Sequence, residues 1–180
     1  LPRQPTMKET IQCYCGDCKL EISGEPNMTL CCHCGEIDAT THETHAPRCP
    51  LHDATVVCVA FFAGDCRRWG GGLFQAAKLY LASQVKLTAG EVFSKYDRGV
   101  PKPENCTNDR KSCVKCGGAV YSQMAPYTYW IMVPGGLFDT PFDPTCHICY
   151  KSKVMSIKDG KPKFAGYPAA MGGTDDILAD

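Results

Sequence analysis

Cysteine dominates the chemistry open to this sequence. Fourteen of its 180 residues are cysteines, and several stand in close pairs: Cys13 with Cys15, Cys32 with Cys34, and Cys113 with Cys116. Pairs spaced as C-x-C or C-x2-C offer two thiolates to one metal ion, whereas a disulfide between residues two apart is strained. Metal ligation in a reducing compartment is the reading, ahead of the disulfide framework that this many cysteines would suggest in a secreted chain. Cys13-Tyr14-Cys15-Gly16 and Cys113-Val114-Lys115-Cys116-Gly117-Gly118 look like the two halves of one site. In such knuckles glycine lets backbone N–H groups turn toward the sulfurs, and four thiolates close a tetrahedral structural zinc site. Zinc bound this way supplies about 10–16 kcal/mol, comparable to the stability of a whole domain.

A second constellation is broken. Cys32-His33-Cys34 is separated by 31 residues from Cys66, which stands within Gly64-Asp65-Cys66-Arg67-Arg68-Trp69-Gly70. Removing residues 35–63 leaves C-x-C-x2-C, three thiolates within six residues. Three protein ligands keep a fourth position open, as in a catalytic zinc, where a substrate thiol can be taken up and deprotonated.

These residues need a rigid frame, and the chain reads as many short strands. Segments 19–23, 28–31, 73–82, 85–89, 92–96, 119–123, 128–133 and 145–156 are rich in Val, Ile, Leu, Tyr, Phe and Thr, and several alternate. Thirteen prolines and 17 glycines punctuate them, and no segment shows a long amphipathic period. The expectation is a mainly β, small zinc-binding all-β domain over 11–165, interrupted at about 35–63, with irregular termini at 1–10 and 166–180. Formal net charge is zero, from 19 basic and 19 acidic residues, which gives no electrostatic reason for a nucleic acid or an anionic membrane as partner. No apolar run approaches the roughly 18–20 residues of a membrane helix. The opening Leu-Pro-Arg-Gln-Pro-Thr-Met has no apolar signal core; Met7 reads as the native start, and the expected location is cytoplasmic.

Four motifs in order, Cys13-Tyr14-Cys15-Gly16, Cys32-His33-Cys34 with Asp65-Cys66-Arg67-Arg68-Trp69-Gly70, Cys113-Val114-Lys115-Cys116-Gly117 and Pro144-Thr145-Cys146-His147-Ile148, give the chain its resemblance. It resembles the glutathione-dependent formaldehyde-activating enzymes, or S-(hydroxymethyl)glutathione synthases, whose domain is shared with centromere protein V. The resemblance implies an all-β zinc fold with two zinc ions per chain. One would sit on Cys13, Cys15, Cys113 and Cys116, and a second, catalytic one on Cys32, Cys34 and Cys66. It implies carbon–sulfur lyase chemistry, with glutathione or another small thiol adding to formaldehyde or another small electrophile. Arg67 and Arg68 are open to two roles, pairing with glutathione carboxylates or serving as surface or strand-packing arginines. The rival reading is a non-catalytic zinc-binding interaction module like the centromere relative, for which a basic tail or long disordered arm would be expected; neither stands in this sequence. A third is a family enzyme turned to a different electrophile in secondary metabolism.

The family pattern has two residues where this chain has 31. A true loop of that length would cost about 2–3 kcal/mol in closure entropy, which zinc would offset. The preferred reading is a translated intron. Gly35-Glu36 suits a donor site, Phe61-Phe62-Ala63-Gly64 suits a pyrimidine tract ending in CAG, and excising 35–63 restores the spacing to the residue. This predicts a eukaryotic source. Within the segment, His42, His45, Cys49 and His52 have ligand-like spacing, but His-Glu-Thr-His is one residue short of the metalloprotease motif, and no third site is expected. Cys18 is read as able to compete at the first site and Cys31 as able to exchange with Cys32. Cys106, Cys146 and Cys149 are read as core or edge thiols, since alternate side chains of a strand around His147 would point apart.

Overall fold

A computed structural model describes residues 8–35, 66–94, 108–124 and 129–179. The chain is mainly β, as its composition and alternation predict. In chain order the elements are β1 (Lys8–Gln12), β2 (Lys19–Ser23), β3 (Met28–Cys32), the one-turn helix α1 (Cys66–Gly70), β4 (Gln75–Leu81), β5 (Val85–Ala89), β6 (Val92–Ser94), β7 (Asn108–Cys113), β8 (Ala119–Met124), β9 (Trp130–Pro134) and β10 (Cys146–Ile148). Strands β1, β2 and β5 form a three-stranded sheet; the others form a seven-stranded sheet in the order β10-β3-β4-β9-β8-β7-β6. Every pairing is antiparallel except that of β10 with β3.

Alternation explains which residues reach which core. On β9, Ile131 and Val133 enter one apolar cluster and Met132, between them, enters another. Successive side chains of a strand leave opposite faces, so the two clusters lie on opposite sides of the seven-stranded sheet. The first holds Ile11, Leu20 and Ile22 of the small sheet together with Cys13 and Cys113. The second holds Leu30, Cys32, Cys34, Cys66, Cys146 and Ile148. Each face thus carries one of the two cysteine constellations.

Gln84 ties the small sheet to the large one. Its Oε1 accepts from Leu81 N–H at 2.9 Å and from Asn27 Nδ2 at 3.0 Å. Its Nε2 donates to the Ser23 carbonyl at 3.0 Å and the Glu25 carbonyl at 3.1 Å.

Several elements depart from the sequence expectation. Residues 8–10, read as lead-in, belong to β1, which pairs with β2 through Ile11 opposite Leu20. Strand β7, Asn-Asp-Arg-Lys-Ser-Cys, has no apolar alternation to announce it and forms through its ladders to β6 and β8. The segment read as one strand over 145–156 stops at Ile148: Cys149 adopts a left-handed conformation (φ 52°), and the chain turns into a 3-10 turn at Tyr150–Ser152. Among the described residues no helix is long and apolar enough to cross a membrane.

Candidate metal centres

The first constellation assembles from two knuckles at the edges of the two sheets. One follows β1: Gly16 N–H donates to the Cys13 carbonyl at 2.8 Å, and Cys13 N–H to the Cys18 carbonyl at 3.0 Å. The other follows β7: Gly117 N–H donates to the Cys113 carbonyl and Cys113 N–H to the Gly118 carbonyl, both at 2.9 Å. Gly16 and Gly117 carry the positive φ, 77° and 72°, that closes each turn and that other residues adopt only with strain. The four sulfurs of Cys13, Cys15, Cys113 and Cys116 lie within 4.8 Å of one another. Cys13 to Cys15 is 3.6 Å and Cys15 to Cys113 is 3.9 Å. A tetrahedral zinc with bonds of about 2.3 Å needs sulfurs about 3.8 Å apart, and the two distances 3.6 and 3.9 Å match that spacing. Backbone donors point at the sulfurs as well, Cys18 N–H at Cys13 Sγ (3.3 Å) and Gly118 N–H at Cys116 Sγ (3.4 Å). Burial pushes the Cys113 thiol up, but the Cys116 and Lys115 N–H groups outweigh it and bring it down to about 6.

The second constellation lies on the other face of the large sheet. Cys32 ends β3, Cys34 follows two residues on, and Cys66 opens α1; all three are buried, with sulfurs within 4.8 Å of one another. Helix α1 is held in place by the site itself. Cys66 N–H donates to Cys34 Sγ at 3.4 Å, Arg67 N–H to the Cys34 carbonyl at 3.2 Å, and Arg67 Nε to the His33 carbonyl at 3.1 Å. Cys32 and Cys34 are 3.2 Å apart, about half an ångström closer than a bound zinc would hold them. The set fits the ion after a small opening of that pair.

Two residues join this cluster that sequence reasoning did not place there. Arg110, buried on β7, donates from Nη2 to Cys66 Sγ at 3.5 Å, and its guanidinium stands 5.5 Å over the Trp69 ring. The other is Cys149, half-buried and packed against the same cluster. The neighbouring Cys32 and Cys34 thiols hold Cys149 down at about 4, against its burial. The matching effect on Cys32, first from Cys149 and then from Cys34 and Cys66, pushes that thiol far up. The expectation that Cys146 and Cys149 are core or edge thiols holds for both, Cys146 buried in this cluster and Cys149 packed against it, but they do not point apart as a continuing strand would require. In a continuing strand Cys149 would share the face of His147. The left-handed turn, a conformation that costs about 1–2 kcal/mol in a non-glycine residue, brings it to the face of this apolar cluster.

A family model for the glutathione-dependent formaldehyde-activating enzymes matches residues 43–152. The chain belongs to this family. The match contains Cys66, Arg110, Cys113, Cys116 and Cys149, begins inside the interrupting segment, and stops short of Cys13, Cys15, Cys32 and Cys34, which enter both clusters from upstream. No curated protein matches the chain.

Around the family's cysteine clusters, the remaining candidates fall in different places. Arg67 is half-buried and engaged with the loop at His33; Arg68 is exposed on α1. Cys18 donates its thiol to the Glu91 carbonyl at 3.2 Å and groups with Asp17 and Cys113. Cys31 leaves β3 on the side opposite to Cys32, so the two are not exchangeable. Residues 36–65, with almost all of the interrupting segment and His42, His45, Cys49 and His52, lie outside the described residues, as does Cys106.

His147 is buried in a polar chain. Its Nε2 donates to Asp159 Oδ2 at 2.8 Å, and its Nδ1 stands 2.9 Å from His33 Nε2. A carboxylate can only accept, so His147 Nε2 carries a hydrogen, and the direction of the His147–His33 bond follows the protonation of the two rings. Lys163 Nζ, also buried, completes the chain on Asp159 Oδ1 at 3.0 Å. The chain ties β10 to the Cys32-His33-Cys34 turn from the face opposite the sulfurs. Burial lowers His33 to about 4, with the His147 charge next in effect.

Proposed function

We propose that this chain is a zinc-dependent carbon–sulfur lyase-type enzyme that condenses glutathione with formaldehyde, in the manner of an S-(hydroxymethyl)glutathione synthase. The observation that carries the reading is the buried convergence of Cys32, Cys34 and Cys66 in a chain of this family. Cys13, Cys15, Cys113 and Cys116 would hold one zinc as a structural tie. Cys32, Cys34 and Cys66 would hold the second at the reacting centre. A zinc held there supplies a Lewis acid that lowers the pKa of an incoming thiol.

The rest of the chemistry belongs to the chain. Arg110 sets a positive charge beside Cys66 and offsets the negative charge that three thiolates accumulate. Trp69, Trp130, Phe164, Tyr167 and Met171 pack against the cluster and limit water, which strengthens each charge interaction within it. Arg67 and Arg68 are the cations assigned to the glutathione carboxylates, with Arg68 the more open of the two. In the reaction a bond forms between the glutathione sulfur and the aldehyde carbon, and the thiol proton ends on the aldehyde oxygen. Described cysteines all present as free thiols, which suits a reducing compartment, and we assign the cytoplasm.

Glutathione-dependent loss of formaldehyde, measured on zinc-loaded protein against a control without enzyme, tests the proposal. A rate well above the control, lost in Cys66→Ser, is the expected result. Protein carrying zinc at both clusters with no rate above the control would overturn it in favour of a non-catalytic module.

A further inference from the structure

We propose that His147, with Asp159 and Lys163 behind it, is a positioning residue of the second centre: it holds the His33 ring, and through His33 the turn that carries the Cys32 and Cys34 sulfurs. The proposal rests on the reading of Cys32, Cys34 and Cys66 as metal ligands, and not on the identity of the reaction.

His33 stands between two of the candidate ligands and is held on three sides. Its N–H donates to the Ile148 carbonyl at 3.0 Å. Its carbonyl accepts from Arg67 Nε at 3.1 Å. Its ring meets that of His147, 114 residues further along the chain, through the 2.9 Å bond between Nε2 and Nδ1. His147 is fixed in turn by Asp159 Oδ2 at 2.8 Å. The other carboxylate oxygen accepts from Lys161 N–H at 3.1 Å and Lys163 Nζ at 3.0 Å. Tyr150 closes the chain edge-on, its ring centroid 4.8 Å from that of His33 and 5.6 Å from that of His147.

Two features separate this chain of bonds from ordinary packing. His33, His147 and Lys163 are each 1% exposed. Burying so many polar groups costs free energy that apolar side chains of the same volume would not, so what the chain supplies is fixed geometry rather than burial. The backbone ladder at this edge is also short: β10 pairs with β3 over three residues and ends at Ile148 opposite Cys32. The bonds from His33 to Ile148 and to His147 carry that register one residue past the ladder, into the turn between the two sulfurs. Cys146 and Ile148 enter the cluster with Cys32, and His147 between them leaves the strand on the other face. His147 therefore acts through the backbone of the turn, and limits how far the Cys32–Cys34 pair, 3.2 Å apart, opens around an ion.

Cadmium-113 NMR of the full-length chain, loaded with the isotope in place of zinc, reads the two centres as separate resonances, and a chelator titration reads the affinity of each. His147→Phe keeps an aromatic ring and removes both hydrogen bonds. Its second-centre resonance should shift, and should vanish at about 10- to 100-fold less chelator than in the parent. The first-centre resonance should keep its position and its midpoint, which reports that the fold survives. His147→Asn, whose carboxamide replaces Nδ1 and reaches His33, should recover most of the affinity. His147→Gln, whose carboxamide replaces Nε2 and reaches Asp159 instead, should not. A merely structural role would weaken both centres together and leave the second resonance where it was. Should His147→Phe fail to fold, the Asn and Gln variants decide alone. Parental midpoints in His147→Phe, both centres weakened together, a Gln variant as tight as the Asn variant, or loss of the first-centre ion in either of those two would overturn the proposal. A parent that gives the first-centre resonance alone would remove the ligand reading and this proposal with it. The expected cadmium behaviour in a protein that consumes no formaldehyde would remove only the proposed reaction.

Discussion

Replacing Cys113 and Cys116 together with serine removes the downstream half of the first centre. The cost can be worked from the structure. Cys15 and Cys113 lie 98 residues apart, and their sulfurs are 3.9 Å apart. A cross-link closing a loop of that length lowers the entropy of the unfolded chain by an amount worth about 4–5 kcal/mol. The metal–thiolate bonds add to this, toward the 10–16 kcal/mol or so of structural zinc sites. Even the lower figure is a large part of a domain stability of about 5–15 kcal/mol. Serine hydroxyls at these positions can still accept from the knuckle N–H groups, so the lost quantity is the metal tie rather than orphaned donors. At about 2–4 °C per kcal/mol for a chain of this size, thermal unfolding followed by circular dichroism should shift down by about 10–20 °C or more, and bound zinc should fall by one per chain. A double variant melting within about 3 °C of the zinc-loaded parent, or one still carrying its full zinc complement, would refute the reasoning.

Arg110→Met should weaken metal binding at the second centre by about 10- to 100-fold in a chelator competition, since it removes a buried charged donor from Cys66; unchanged competition would remove Arg110 from the site. Gly90→Ala should destabilise by about 2–4 kcal/mol, read as a lower Tm: φ there is +80°, and an added Cβ would meet the Asp17 carbonyl oxygen and Cys18 Cα at 2.6 Å, in the knuckle itself. A parental Tm would show that the knuckle yields freely. Burial and the neighbouring His147 lower His33 from 6.5 to about 4. Its neutral form is therefore the one that folding selects. The stability it contributes is complete above about pH 6.5 and is lost as pH falls through about 4, to a total of about 3 kcal/mol. Urea unfolding at several pH values should show His33→Gln losing less stability than the parent between pH 6.5 and 4, and parallel curves would contradict the assignment.

How much of this was legible follows from where the information is stored. The Cys13/Cys15 and Cys113/Cys116 knuckles are each self-contained: a short spacing and a glycine that must take positive φ write the turn into a few letters. Tetrahedral coordination of one ion by both knuckles would demand their convergence. Cys32, Cys34 and Cys66 come together across the interrupting segment because Cys66 N–H and Arg67 N–H dock on Cys34 itself, so the residues beside the break carry the geometry. Strand β2 was readable from Leu20 and Ile22 alternating with polar residues. Strand β7 was not, because its polar residues are ordered by ladders to β6 and β8 and by a buried Arg110, which only tertiary contact can specify. Cys149 was misread because period-2 reasoning extends a strand until something breaks it. Here the break is one left-handed residue with no glycine or asparagine to signal it, so Cys149 packs on the same face as Cys146 rather than the opposite one.

Strand β7 also joins the two centres. Arg110 and Cys113 are three residues apart, so they leave the strand on opposite faces, one toward Cys66 and the other into the first cluster. The β7–β8 ladder shifts register between Lys111 and Ser112, between those two positions. Cys113 anchors the strand's end through backbone bonds to Gly117 and Gly118. Whatever fixes Cys113 in the first centre therefore fixes the position of β7, and with it the guanidinium 3.5 Å from Cys66 Sγ. The packing around Cys113 on one face of the sheet thus positions the charge beside Cys66 on the other, and links the first cluster to the one proposed to react.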